Sequence, residues 1–225
     1  MTVIKADKVS KSFGELDALR NISFEVEEGE IVGILGPNGA GKSTLMNILT
    51  GQMERDSGEV EVLGQDPEDD PAGLREKLGI LPEREDPPSF LTGREYLDFV
   101  ADIRGEHPNR GKWIAKLNME KDMEKLTQDL SKGERQKLMI AQAFFHEPEL
   151  VFIDEPLINL DPFIQEEAKD VFREHVEDGG TLVMSTHVVS LAEELCDRVL
   201  FIEDDIVVEE VEDVENLREK FLDEG

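Results

Sequence analysis

The sequence predicts an α/β fold in which a parallel sheet is flanked by helices. Three observations predict it. Short apolar runs of strand length alternate with helix-length amphipathic runs over both ends of the chain. A glycine-rich loop, Gly36-Pro37-Asn38-Gly39-Ala40-Gly41-Lys42-Ser43-Thr44, joins one such strand to one such helix. Between about residues 86 and 130 the strands disappear and only helical periodicities remain, which reads as an inserted helical lobe.

Val3–Val9 and Ile22–Val26 alternate as short strands, Ile31–Leu35 is a strand running into the glycine-rich loop, and Thr44–Leu49 is a helix. Gly58–Leu63 is a strand ending at Gly64, Pro71–Lys77 a short helix, and Leu78–Leu81 a buried strand stopped by Pro82. Helical periods follow at Thr92–Asp102 and Gly111–Leu117. The α/β rhythm then resumes with a helix over Lys132–Phe145, a strand over Leu150–Ile153 and a helix over Pro162–Val176. Next come a strand at Thr181–Ser185, a helix at Val189–Cys196 and a strand at Val199–Ile202. Pro162 at a helix start and Gly179-Gly180 after a helix end punctuate these elements. Val208–Leu222 reads as a strand and then an amphipathic helix, with Arg218 and Lys220 late in it.

The 225 residues suffice for one substantial domain, or a core plus a small lobe. Acidic residues number 53 against 24 basic ones, a net charge of −29, and they are spread along the chain rather than gathered in a tail. Such a surface repels nucleic acid and anionic membranes. It suits a cytoplasm of molar salt, where screening removes self-repulsion, so the composition predicts a halophilic source. The single cysteine, Cys196, excludes an internal disulfide and falls in an apolar pattern that reads as core. Three histidines, His107, His146 and His175, stand in polar or loop-like settings and read as surface residues. No apolar run reaches membrane-span length, and no signal peptide is expected, so any membrane association comes from another chain.

The loop fits G-x-x-x-x-G-K-[ST] in the strand–loop–helix setting that gives the pattern meaning. Its glycines let successive N–H groups curl around a di- or triphosphate, and the following helix adds its positive end. Lys42 would reach the β- and γ-phosphates and the Ser43 hydroxyl would ligate Mg²⁺. The apolar strand Leu150–Ile153 runs into Asp154-Glu155 at its carboxyl end, where ligands bind in parallel sheets. Asp154 would hold Mg²⁺ through a water, and Glu155 would orient or deprotonate the attacking water. Leu130-Ser131-Lys132-Gly133-Glu134 starts a helix. It reads both as an N-cap box between Ser131 and Glu134 and as an anion site.

Taken in order, the phosphate loop, the L-S-x-G-E segment, the strand ending Asp154-Glu155 and the strand followed by Thr186-His187 resemble the ATPase subunits of ABC transporters over essentially the whole chain. The resemblance implies a P-loop NTPase with a RecA-like core. It adds a small antiparallel β subdomain, with which that core spans about 1–83 and 149–225, and a helical subdomain over about 84–148. It implies that Phe13 stacks on adenine, with Gly36 to Thr44 around the phosphates, and that His187 contacts the γ-phosphate. Asn159-Leu160-Asp161 would communicate across a dimer. Ser131, Gly133, Glu134 and Asp161 would meet the ATP bound to the opposite subunit. Two ATP and Mg²⁺ would thus lie between two such domains, as a homo- or heterodimer.

Three positions depart from the family pattern. Glu83 stands where a metal- and water-contacting glutamine is usual, and would ligate Mg²⁺ directly, with Arg84 compensating its charge. Lys132 replaces a glycine, and Asn159 replaces another before Leu-Asp-Pro. Glu83 and Lys132 resemble exporter-type members. The expected function is therefore an ATPase subunit, peripheral on the inner face of the membrane, that powers a separate transmembrane permease. Its helical stretch Ser89–Val100 would be the docking region. A cytosolic ABC ATPase of metal-cluster assembly type is the alternative. A nucleic-acid-linked member is disfavoured by charge, and a GTPase lacks its Asn-Lys-x-Asp element.

Overall fold

Strands β1 (Thr2–Phe13) and β2 (Leu16–Glu27) form an antiparallel hairpin whose alternate residues are buried. They are each 12 residues long, beyond the apolar stretches Val3–Val9 and Ile22–Val26, because each satisfies the other's backbone past the point where its side chains turn polar. The computed structural model describes residues 1–84, 87–105, 110–157, 160–203, 206–211, 214 and 217. Asn159, His107, Arg218 and Lys220 lie outside the described residues, as does the expected C-terminal helix apart from Val214 and Leu217.

After β3 (Ile31–Leu35) come α1 (Lys42–Leu49), β4 (Ser57–Val62), α2 (Pro71–Lys77) and β5 (Leu78–Leu81). Three helices, α3 (Gly93–Arg104), α4 (Arg110–Lys116) and α5 (Lys132–Phe144), then follow without an intervening strand. A single 3-10 turn at Thr127–Asp129, not expected from the sequence, precedes α5. The chain continues through β6 (Leu150–Asp154), α6 (Pro162–Glu177), β7 (Thr181–Thr186), α7 (Val189–Leu195), β8 (Arg198–Glu203) and β9 (Ile206–Val211).

Two sheets result: an antiparallel one in the order β2-β1-β4, and a six-stranded one in the order β5-β6-β7-β3-β8-β9. Five of the six strands of the larger sheet pair in parallel, and β9 closes its edge antiparallel to β8. Strands β3 and β7 are buried at every residue, which is why neither carries a charged side chain. Alternation along β3 divides the core. Ile31 and Leu35 face a cluster shared with α3, α5, α6 and α7, whereas Val32 and Ile34 face one shared with α1 and the antiparallel sheet. Arg198 links the two sheets, donating to Glu30 Oε1 and to the carbonyl of Glu25, both at 2.7 Å.

Local signals set the helix starts. Thr92 and Ser131 each form a reciprocal capping box with the glutamate three residues on. Asp70 and Asp161 cap helices whose first turn contains proline. Among the described residues, no helix is long and apolar enough to cross a membrane.

His146 and His175 correct the surface assignment. Both are partly buried: His175 packs edge-on against Phe144 at 5.2 Å, and His146 lies against Phe145 at 5.5 Å. Neighbouring polar residues in sequence concealed this, because the contacts come from the fold. Arg104 Nη1 donates to the carbonyl of Glu76 at 2.9 Å and to His146 Nε2 at 3.0 Å. Burial, reinforced by that guanidinium, pushes the His146 imidazole down to about 4. The folded state thus favours neutral His146, while the unfolded chain takes up its proton near the ordinary value of about 6.5. Stability is therefore complete above pH 6.5 and lost as pH falls from there towards 4, by about 3 kcal/mol from this group. The acid-side loss of melting temperature over that window is expected to shrink in His146→Asn, read as the difference between the variant's and the wild type's pH profiles.

Candidate nucleotide site

The sheet order brings the candidate residues together. Leu35 of β3 pairs with Thr186 of β7, Asp154 of β6 pairs with Ser185 of β7, and Leu81 of β5 pairs with Ile153 of β6. The carboxyl ends of β5, β6, β7 and β3 therefore present Glu83, Asp154-Glu155, Thr186-His187 and the glycine-rich loop side by side. Glu83, Glu155, His187 and part of the loop border a cavity of about 650 Å³. Its lining includes Phe13 from the tip of the β1–β2 hairpin, loop residues from Asn38 to Thr44, and Glu83, Glu155 and His187.

The loop is shaped by contacts that leave no room for side chains. Gly41 has φ of 93°, in the left-handed region, and a Cβ there would strike the carbonyl of Ala18. It forms the N-cap of α1, so the free N–H groups of that helix open towards the cavity. Lys42, 6% exposed, donates to the carbonyls of Gly36 at 2.8 Å and Pro37 at 3.0 Å. Those carbonyls are the part that Gly36 and Pro37 play; neither borders the cavity, and Ala40 is buried beneath the loop.

Glu155 is held in an unusual way. Its φ of 48° is left-handed, a conformation costly for a residue with a Cβ, and its N–H donates to the carbonyl of Ser185 at 3.1 Å. Its carboxylate lies 2.8 Å from His187 Nδ1 and 3.8 Å from Lys42 Nζ. The second oxygen, Oε2, is buried without a hydrogen-bond partner. A carboxylate so fixed at the border of the cavity is of the kind that orients a water. Asp154 accepts from the Ser185 hydroxyl and borders the adjoining groove behind the cavity rather than the cavity itself.

Among the described residues, no three His, Cys, Asp or Glu side chains converge as a metal cluster. Magnesium fits such a site, since it retains waters and phosphate oxygens and takes only one or two carboxylates from protein. Ser43 and Glu83 border the cavity, and Asp154 stands next to Glu155 at the strand end.

Four further candidates stand elsewhere. Ser131, Gly133, Glu134 and Asp161 do not border the cavity. Ser131 Oγ accepts from the N–H of Glu134 at 3.2 Å, and the Glu134 carboxylate accepts from Ser131 N at 2.7 Å and from Lys125 at 2.9 Å. Those donors, Lys125 foremost, pull the Glu134 carboxyl down to about 2. Gly133 is buried where a Cβ would strike Ile164 of α6. Sequence reasoning missed Leu16, Asp17 and Ala18, which border the cavity from the return strand of the hairpin. No motif marks them; only the pairing of Phe13 with Leu16 brings them there.

A parallel sheet with a glycine-rich phosphate loop at its centre, facing a carboxylate and a histidine, defines a P-loop ATPase. A family model described as ABC transporter matches residues 19–158. An uncharacterised ABC transporter ATP-binding protein of Methanocaldococcus jannaschii is 36% identical over 204 residues, spanning 88% of this chain and 73% of that protein. A fluoroquinolones export ATP-binding protein of Mycobacterium tuberculosis is 35% identical over 192 residues, spanning 85% of this chain and 64% of that one. The dimeric structure of a bacterial ABC transporter cassette superposes with a TM-score of 0.81 at 26% identity, over 92% of this chain and 97% of that one. The chain belongs to the ABC transporter family, as an ATP-binding ATPase subunit.

Proposed function

We propose that this chain closes head to tail with a second ATPase subunit around two Mg-ATP and so drives export through a separate transmembrane permease. The observation that carries this reading is the separation of Ser131 and Gly133 from their own cavity. Ser131 is exposed at the capped start of an α-helix, whose positive end can meet an anion beyond the Glu134 carboxylate it already holds. A nucleotide on the phosphate loop would meet it only when a second subunit presents it. The similar bacterial cassette is dimeric, which supports pairing of two such subunits.

Within each site, Phe13 stacks on adenine, Lys42 binds the β- and γ-phosphates, and loop N–H groups from Asn38 to Thr44 cradle them. Glu155 takes the proton of the attacking water and His187 steadies the γ-phosphate, the two held together by their 2.8 Å contact. Asp161 stands near the partner's nucleotide. Magnesium would be held by Ser43, by Asp154 through water and by Glu83, and would neutralise charge on the transferred phosphoryl group. Replacing Glu83 by Gln removes one anionic ligand, so the Mg²⁺ concentration giving half-maximal hydrolysis is expected to rise several-fold. An unchanged magnesium titration removes that role from Glu83.

The unit is best divided into a core over 1–83 and 149–225 and a helical part over 84–148, with the permease docking at Ser89–Val100. There Phe90 is 76% and Phe99 50% exposed. On this reading the working chain sits at the inner face of the membrane through its permease. Export is supported by Glu83 and Lys132 and by the fluoroquinolones export relative. Co-purification of the tagged chain with a multi-span membrane subunit that raises its ATPase rate tests the partner; a soluble scaffold as the stimulating partner would contradict it. With 53 acidic residues, the folded chain is expected to melt at markedly higher temperature in molar KCl than in dilute buffer, read by calorimetry.

A further inference from the structure

Of the carboxylates that border the cavity, Glu83 and Glu155 come from the strand ends of the larger sheet, and Asp17 comes from the β1–β2 hairpin. Asp17 pairs across the hairpin with Ser12, the residue before Phe13, and the Ser12 hydroxyl donates to Asp17 Oδ1 at 2.9 Å. A bulge follows Asp17 on β2: Ser12 pairs with Asp17 and Lys11 with Leu19, leaving Ala18 between them. Leu19 Cδ2 and the carbonyl of Ala18 are the atoms that a side chain at Gly41 would meet. Asp17 is thus one step from the ring that stacks on the base and one step from the loop that holds the phosphates. In a nucleoside triphosphate the group between base and phosphates is the ribose.

A carboxylate near a triphosphate is electrostatically unfavourable unless it does something for the ligand. Lys11, on the strand that carries Ser12, pairs with Asp56 at 2.8 Å. Ser12 engages one Asp17 oxygen and leaves the other with lone pairs to offer. A ribose hydroxyl is a donor of the kind a carboxylate accepts, the same chemistry by which an acidic residue reads the ribose in dinucleotide-binding folds.

We propose that Asp17 accepts a hydrogen bond from a ribose hydroxyl of the bound nucleotide and makes the site select ribonucleotides over their deoxy analogues. This rests on the nucleotide-site reading above. The test compares dissociation constants of ATP and 2′,3′-dideoxy-ATP for the wild type, Asp17→Ala and Asp17→Asn, by equilibrium titration in molar KCl. The wild type is expected to prefer ATP by about tenfold, the usual worth of a hydrogen bond to a charged group. In Asp17→Ala the preference falls to within about twofold, because ATP weakens while dideoxy-ATP binds as before. Asp17→Asn, which keeps an acceptor without the charge, falls between the two. A wild-type preference near unity, or one that survives in Asp17→Ala, overturns the proposal and returns Asp17 to the solvated acidic surface. If Asp17→Ala binds neither nucleotide, Asp17→Asn decides, and a wild-type ratio in it also overturns the proposal. Failure of the wild type to bind either nucleotide would instead remove the nucleotide-site reading itself.

Discussion

Replacing Glu155 by Gln is expected to lower steady-state ATP hydrolysis by about 10²- to 10⁴-fold while leaving ATP binding as tight or tighter. The variant keeps the shape of the side chain and its ability to pair with His187 at the 2.8 Å contact, so the left-handed backbone at φ of 48° has no reason to relax. What disappears is the basicity of a carboxylate that borders the cavity. A loss in turnover without a loss in affinity would assign the carboxylate to the chemical step, since interactions made only in the transition state lower the rate and not binding. A coupled phosphate-release assay beside an ATP titration separates the two.

Replacing Lys42 by Ala is expected to weaken ATP binding about 10²-fold, since each hydrogen bond from an ammonium to phosphate is worth about 1.5 to 3 kcal/mol. Hydrolysis should fall with it. The ammonium has a second task, because it stands 3.8 Å from the buried Glu155 carboxylate and holds the Gly36 and Pro37 carbonyls. Lys42→Arg restores the charge but not the compact shape, and is expected to recover only part of the affinity, because a planar fork does not fit the space an ammonium fills. The nucleotide titration that reads Lys42→Ala reads this variant as well.

The central sheet was legible because burial on both faces leaves an unmistakable trace. Ile31–Leu35, Leu150–Ile153 and Thr181–Ser185 carry no charged residue, and each appears as a strand within a residue of its expected bounds. Helix starts were legible from chemistry, as with Ser131 and Glu134, whose capping box forms. The phosphate loop, Glu155 and His187 were legible because sequence order maps onto adjacent strand ends. What escaped was non-local. The hairpin extends through polar residues such as Lys11 and Ser12 because its partner strand supplies the hydrogen bonds. Asp17 reaches the cavity by pairing, not by motif. His146 and His175 are partly buried by aromatic contacts whose partners the local sequence does not announce.

The central claim, that two chains close around ATP, is tested most directly by light scattering of the Glu155→Gln variant in molar KCl with and without Mg-ATP. Head-to-tail closure predicts a monomer without nucleotide and a dimer, twice the 25.4 kDa chain mass, with it. A variant that binds Mg-ATP at full occupancy and stays monomeric would contradict the account.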